Sequence, residues 1–253
     1  MMSTFNWHVC KTNTNLICIS FLILAFFVSY YGSFIVHAQE ETITIVPGSS
    51  DSSRYRFFDI TEYPLQTGEE LKWYNADNIA HNIIVTSNDG DIIVAQSGNI
   101  KPKGSFSYKF DNPGEYFFKS ANYNWMKGKV IVTDNLRTVK KNLNDDIEAY
   151  ISWIPPSSAP ATPTNEKTIF KIIFVDKKSE INQEHIDYSF SIRNSISDKI
   201  LYQNSITHSS WGVEPASYKL EPNSSFIGKL GIGGIQFQPI EPEYAEFEIT
   251  TLK

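Results

Sequence analysis

The chain has 253 residues, a formal net charge of −6 at pH 7, 14% aromatic residues and 20% charged residues. This length is typical of two domains rather than one. The acidic balance, with no cluster of lysine and arginine along an aromatic face, excludes a nucleic-acid partner, because phosphate would be repelled. The high content of Tyr and Phe favours packed β-sheets.

The two cysteines of the chain, Cys10 and Cys18, both lie close to the N-terminus. The remainder therefore has no thiol that could form an intramolecular disulfide, act as a nucleophile or bind zinc, copper or an iron–sulfur cluster. Any metal or catalytic site beyond Cys18 must be built from other residue types.

The N-terminal residues 1–38 are predicted to be a signal peptide or a membrane anchor. Residues 16–36 form an uncharged apolar run, and about 20 such residues are enough to cross a bilayer. Val36 and Ala38 are small residues at the positions that a signal peptidase prefers. Cleavage after Ala38 would leave Gln39 as the new N-terminus. Two alternatives stay open: cleavage of the segment as a signal peptide, or its retention as a membrane anchor.

Charges on either side of the apolar run set its orientation. Lys11 precedes the run, and Glu40 and Glu41 follow it. A positive flank stays inside, so everything after the run is predicted to be secreted or extracytoplasmic. Contact with the membrane is expected only through this N-terminal segment.

From residue 40 onward, short runs of alternating polarity are separated by Gly, Pro, Asn and Asp. This pattern predicts strands and turns. The predicted strands cover residues 42–46, 70–75, 82–86, 105–110 and 115–118. Such strands bury a face only against a second sheet, so residues 40–133 are predicted to form a sandwich or a partly open barrel.

Four motifs in this region resemble the plastocyanin/azurin-type cupredoxins. They are W-Y-N-A-D-N-I-A-H-N-I (73–83), S-G-N-I-K-P-K-G-S-F-S-Y-K-F (97–110), P-G-E-Y (113–116) and W-M-K-G-K-V-I-V (125–132). Their order and spacing match that family over residues 42–133. The resemblance implies a Greek-key β-sandwich.

The resemblance also implies where a copper site would lie. In that family one His follows an N-x-D turn, and a closing loop supplies Cys, His and usually Met, a ligand set that suits both copper oxidation states. His81 stands at the first His position and Met126 at the axial position. Ser120 stands where the Cys is expected, and Tyr123 where the second His is expected.

These departures change the expected chemistry. A neutral serine hydroxyl does not replace a soft, anionic thiolate, and Tyr123 has an ordinary pKa of about 10, so metal would have to displace its proton. We therefore expect no blue copper site, no cofactor and no enzymatic activity. The prediction is a non-redox binding or structural module, with an unknown cell-surface protein or envelope component as its partner.

An alternative stays open beside this prediction. The chain could bind copper or transfer electrons through an altered site made of His81 and Met126, with Tyr123 or Asn122 as a further ligand. A third hypothesis, the copper-carrying subunit of an oxidase, fails because a dinuclear copper centre needs two bridging cysteines.

Residues 134–145 are predicted to be a linker, either ordered or a short helix, because Leu136, Val139 and Leu143 have helical spacing. Residues 146–154 alternate strictly and favour a strand, and residues 155–164 read as an extended loop. Residues 146–253 are predicted to form an immunoglobulin-like β-sandwich. Its further predicted strands are 168–175, 186–192, 199–202, 225–232 and 245–250.

The second domain offers no strong site signature. His185 and His208 lie near predicted strand ends and could hold a surface metal, but no third ligand is evident, so solvated histidines are the prediction. Asn223 begins a glycosylation sequon, and the Gly-rich residues 228–234 open no helix and therefore do not read as a phosphate loop.

Overall fold

The computed structural model describes residues 40–87, 91–155, 167–204, 206–221, 224–233 and 243–249. Every regular element in these ranges is a β-strand, so the predicted all-β class is confirmed. None of the described segments is a helix with the length and hydropathy needed to cross a bilayer. The predicted signal or anchor segment, most of the loop at 155–164 and Asn223 lie outside the described residues.

The first sandwich contains strands β1 to β8. They are β1 (Thr42–Ile45), β2 (Glu62–Gln66), β3 (Glu70–Asn75), β4 (Ile83–Ser87), β5 (Ile92–Gln96), β6 (Ser105–Lys109), β7 (Gly114–Ser120) and β8 (Lys127–Thr133). One sheet has the order β1-β3-β6 and the other the order β2-β8-β7-β4-β5. The pairs β1–β3 and β2–β8 are parallel.

The core of this sandwich is built on alternating side chains that point inward from both sheets. Trp73 is fully buried, and its ring stacks on Phe106 with centroids 5.8 Å apart and meets Phe118 edge-on at 5.6 Å. Phe110 is also buried, while Phe106 and Tyr108 are partly buried against the same core. The aromatic face predicted for β6 is therefore a core face.

Gly128 in β8 is required by close packing rather than by its backbone conformation. A Cβ atom at this position would lie 2.3 Å from the Phe118 ring and 2.7 Å from the carbonyl oxygen of Thr61. We expect Gly128→Ala to lower the free energy of unfolding by about 1–3 kcal/mol, because overpacking forces neighbouring atoms to move. Denaturant unfolding measures the change.

A matched control is Gly233→Ala at the end of a strand in the second sandwich. There the nearest atom to an added Cβ is the Cβ of Asp187 at 4.0 Å. The alanine should be tolerated, and equal destabilisation by both substitutions would contradict the packing explanation for Gly128.

The second sandwich contains strands β9 to β17. They are β9 (Arg137–Asn142), β10 (Ile147–Trp153), β11 (Thr168–Asp176), β12 (Ile186–Asn194), β13 (Ile200–Gln203), β14 (Thr207–Ser209), β15 (Val213–Tyr218), β16 (Phe226–Gly233) and β17 (Glu243–Ile249). One sheet has the order β15-β11-β10-β9, and the other β13-β12-β16-β17 with β14 also paired to β12. The immunoglobulin-like assignment of this sandwich stays a prediction.

The segment 134–145 contains a strand, so its interpretation as a helix is wrong. β9 pairs antiparallel with β10, with Val139 opposite Ile151. Val139 packs against the second core, and Leu143 is part of that core. Apolar residues spaced by three and four thus belong here to a strand and the turn that follows it. The boundaries predicted for a linker and two domains stay predictions.

The described residues belong to one compact unit, and β11 explains how the two sandwiches come together. Residues Thr168 to Val175 are all buried. Phe170, Ile172 and Phe174 belong to the second core, whereas Ile173 and Val175 belong to the core of the first sandwich. The near-continuous apolar run of this strand follows from burial on both of its faces.

A buried polar cluster joins β11 to the first sandwich. Lys171 is 1% exposed, and its ammonium donates to Oε2 of Glu41, just before β1. The Tyr63 hydroxyl donates to the same oxygen at 2.6 Å, and the Lys171 nitrogen lies 4.3 Å from the Tyr63 ring centroid. Burial and the Glu41 carboxylate raise the pKa of Tyr63 well above its ordinary value, which keeps the phenol a donor.

Candidate functional site

His81 lies between β3 and β4 and is completely buried. Its backbone pairs with Ile100, with N–H to O distances of 3.1 and 2.7 Å between the two residues. Its Nε2 is 2.8 Å from Oδ2 of Asp77. Its Nδ1 is buried and has no hydrogen-bond partner. A buried polar atom without a partner is rare and calls for an explanation.

Asp77 determines which nitrogen of His81 carries the proton. Its Oδ1 accepts hydrogen bonds from the backbone N–H groups of Gly48 at 3.0 Å and Asn78 at 2.8 Å. Burial favours a raised pKa, but these bonds and the one from His81 outweigh it and hold the pKa of Asp77 below its ordinary value. An ionised carboxylate only accepts, so Nε2 donates, and in the neutral imidazole the free lone pair is on Nδ1.

The closing loop between β7 and β8 keeps a compact hydrogen-bonded shape without a metal ligand set. The N–H of Ser120 donates to the carbonyl of Met126 at 2.9 Å, and the N–H of Met126 donates to the carbonyl of Tyr123 at 3.0 Å. The Ser120 hydroxyl oxygen accepts the N–H of Asn122 at 3.3 Å. Ser120 is 2% exposed and Met126 is fully buried.

Two further contacts fix this loop to its surroundings. Oδ1 of Asn82, next to His81, accepts the N–H of Ala121 at 3.0 Å. The indole N–H of Trp125 donates to the carbonyl of Ser49 at 3.1 Å. The loop is therefore held from two sides, by the start of β4 and by the turn after β1.

Aromatic rings cover His81. The ring centroid of Tyr123 lies 5.4 Å from that of His81 with an interplanar angle of 57°. Trp125 lies 5.4 Å from Tyr123. Tyr123 is only partly buried, so it stands between the imidazole and solvent.

The structure brings the four predicted site residues to one end of the first sandwich. Ser120 pairs with Ile83, two residues after His81, Tyr123 packs on His81, and Met126 is hydrogen-bonded through its backbone to Ser120 and Tyr123. The predicted metal role of His81, Tyr123 and Met126 stays a prediction.

A thiolate copper centre does not fit these residues. The position opposite Ile83 offers the hydroxyl of Ser120, and the described part of the chain has no group of three or more His, Cys, Asp or Glu side chains placed to hold a metal. The potential donors that remain are the Nδ1 lone pair of His81, the thioether of Met126 and the phenol of Tyr123. Thioether and imidazole donors suit the softer Cu(I) ion better than a hard cation.

Asp77 is the member of the candidate site that sequence reasoning missed. It lies four residues before His81 in the N-x-D turn, where the side-chain amide of Asn75 donates to the carbonyls of Ile79 at 2.8 Å and Ile100 at 2.9 Å. Asp77 in turn donates its N–H to Oδ1 of Asn75 at 2.9 Å. The short spacing between an acid and a histidine in a tight turn was the available signal.

Comparison with known proteins supports the cupredoxin resemblance over part of the chain. No family model matches. Amicyanin-alpha of Methylorubrum extorquens is 28% identical over 75 residues, which is 30% of this chain and 63% of that protein. The chain thus spans less than two thirds of this curated relative.

Solved structures with similar folds include the purple cupredoxin of Nitrosopumilus maritimus, with 24% identity, a TM-score of 0.35 and coverage of 37% of this chain and all of that one. The Cu(I) form of an amicyanin mutant gives 19% identity and a TM-score of 0.31, with coverage of 39% of this chain and 87% of that one. Part of this all-β chain is cupredoxin-like.

Proposed function

We propose that this chain is an exported, non-enzymatic binding or structural module that uses a cupredoxin-like sandwich without a redox centre. Its partner is proposed to be a protein or envelope component at the cell surface. The apolar segment before residue 40 and the charges around it support export.

The proposal rests on the hydrogen bonds that hold the closing loop between β7 and β8. Ser120 occupies the end of β7, buried, and its backbone bond to Met126 holds the loop in place. Asn82 and Trp125 hold the same loop through their hydrogen bonds to Ala121 and Ser49. Protein hydrogen bonds therefore hold the closing loop, which supports a module that needs no metal ion to form this end of the sandwich.

The experiment is a titration with Cu(II) of the full chain carrying Cys10→Ser and Cys18→Ser, purified in mild detergent and followed by visible absorption. Without a thiolate we expect no intense charge-transfer band. A band that His81→Gln removes would overturn the proposal, since it would reveal a Cu(II) centre at this end of the sandwich.

A second candidate function is Cu(I) binding, and the buried, unpartnered Nδ1 of His81 favours it. Its lone pair lies at the same end of the sandwich as Met126, and the Asp77–His81 pair is the carboxylate–histidine arrangement that orients metal-bound imidazoles. In this function His81 and Met126 are the ligands, and Tyr123 covers the ion.

Anaerobic titration with Cu(I) against a chromophoric chelator separates the two candidate functions. If the site binds, the chain with Cys10→Ser and Cys18→Ser takes up one colourless equivalent, and His81→Gln in the same background, which keeps a donor for Asp77, loses it. Met126→Leu should weaken the same binding while preserving core volume. Absence of Cu(I) uptake by the chain with Cys10→Ser and Cys18→Ser would eliminate this second function and leave the module proposal in place.

A further inference from the structure

The start of β12 and the short strand β14 bring two histidines into direct contact. Nδ1 of His185 is 3.3 Å from Nε2 of His208. Nδ1 of His208 is 2.8 Å from Oδ1 of Asp187. The two imidazole rings lie 5.5 Å apart with an interplanar angle of 28°. A chain of three polar side chains therefore runs along the surface of the second sandwich.

The backbone positions each of these three side chains. Asp187 and His208 are opposite each other in the antiparallel pair β12–β14, where directly opposed side chains are close neighbours. His185, just before β12, has φ of 53°. A non-glycine residue in this left-handed region is uncommon, and such conformations concentrate at functional sites. Here the conformation accompanies the contact between His185 and the ring of His208.

The distance between the two ring nitrogens is the one that a metal ion requires. Zinc–imidazole bonds are about 2.0–2.1 Å long. Two such bonds that span 3.3 Å enclose an angle of about 107°, which is close to tetrahedral. Solvent reaches the position, since the His208 and Asp187 side chains are 51% and 37% exposed.

We propose that His185 Nδ1 and His208 Nε2 form a two-imidazole site for a divalent transition metal such as Zn²⁺, with Asp187 as the residue that positions His208. When the metal binds between the two nitrogens, the proton on Nδ1 of His185 moves through solvent to its Nε2, so that the imidazole stays neutral and Nδ1 has a free lone pair. Water or a ligand from another molecule completes the coordination.

Asp187 has a defined role in this site. Because it accepts the Nδ1–H of His208, it fixes the tautomer in which Nε2 is free to bind and holds the ring in place. It sits behind His208, away from the position between the two rings. This arrangement agrees with the absence, among the described residues, of any cluster with three direct His, Cys, Asp or Glu ligands.

The test is Zn²⁺ binding to the full chain in mild detergent, measured by isothermal titration calorimetry with metal analysis after dialysis. The background variant has His8→Gln, His37→Gln, Cys10→Ser and Cys18→Ser, so that three histidines and no cysteine remain. We expect one equivalent of Zn²⁺, which His185→Gln and His208→Gln each abolish. Asp187→Ala should weaken binding by about 10- to 100-fold, as the loss of an outer-shell partner does.

The control is Asp146→Asn in the same background, which should leave Zn²⁺ binding unchanged because this exposed carboxylate is paired with Lys178 and not with either histidine. Thermal melts without metal should agree between the background protein and the His185 and His208 variants, since both positions are exposed. Unchanged Zn²⁺ uptake in the His185 and His208 variants would overturn the proposal, and so would the absence of any uptake by the background protein.

Discussion

Replacing Lys171 with alanine is expected to lower the free energy of unfolding by about 3–5 kcal/mol. The ammonium is 1% exposed and bonds to Glu41, which also accepts the Tyr63 hydroxyl at 2.6 Å. Without Lys171, the largely buried Glu41 carboxylate keeps only one of these two donors, the neutral hydroxyl of Tyr63. Denaturant unfolding measures the loss. The slope of the unfolding free energy against denaturant concentration should stay unchanged.

Two control variants identify the cause. Lys178→Ala removes a lysine from an ion pair with Asp146 whose side chains are 81% and 60% exposed, and it should have little effect. The double variant Lys171→Ala with Glu41→Gln has the same truncated side chain but removes both charges, and it should recover part of the stability, because no buried charge is left alone. If the double variant is as unstable as Lys171→Ala, lost packing rather than the unpaired carboxylate explains the result.

The second large effect is a pH dependence that arises from Asp59. This residue is 2% exposed, and burial raises its pKa to about 7 against the opposing hydrogen bonds from Thr44 and Ile60. In the unfolded chain its pKa is about 3.9. The folded state therefore binds more protons between these values, and stability falls by up to about 4 kcal/mol as pH rises from about 4 to 7.

Asp59→Asn tests this dependence. The amide oxygen can still accept the N–H groups of Thr44 and Ile60, which lie 2.8 Å from Oδ1 in the wild type. As pH rises from 4 to 8, the unfolding free energy of Asp59→Asn should increase relative to that of the wild type. A difference that stays constant over this range would show that Asp59 is ionised in the folded protein throughout.

Much of the fold follows from alternating polarity, and the exceptions have identifiable causes. Strands β3, β4, β6 and β10 to β12 lie close to their predicted positions. Strands β2, β5, β14 and β15 were not predicted, and of these β2 and β15 each contain a proline, Pro64 or Pro215. Both strands are at sheet edges, where a residue without an N–H is tolerated. The sequence does not show which strand will be an edge.

The shared core was also beyond sequence reasoning. The apolar run at residues 168–175 predicts a buried strand, but its pattern does not say what covers the second face. Only the structure shows that Ile173 and Val175 contact the first sandwich. Long-range pairing such as that between Lys171 and Glu41 leaves no mark in local patterning.

The candidate site was predictable in position but not in chemistry. The motifs correctly place His81, Ser120, Tyr123 and Met126 at one end of the sandwich. They do not show that Asp77 takes Nε2 of His81 and leaves Nδ1 without a partner. They also do not show the contact between His185 and His208, which depends on one left-handed residue and on a short strand.

The parallel pairing of β2 with β8 has a consequence for folding kinetics. Glu62 pairs with Lys129, about 67 residues later in the chain, and β8 follows directly on the closing loop. A nascent chain therefore cannot complete the five-stranded sheet until the whole of this loop has been synthesised. Long-range strand pairing of this kind is slow, since loop closure precedes any stabilising contact. Until β8 is in place, β2 and the edge of β7 that pairs with β8 have unpaired backbone groups that other strands can bind.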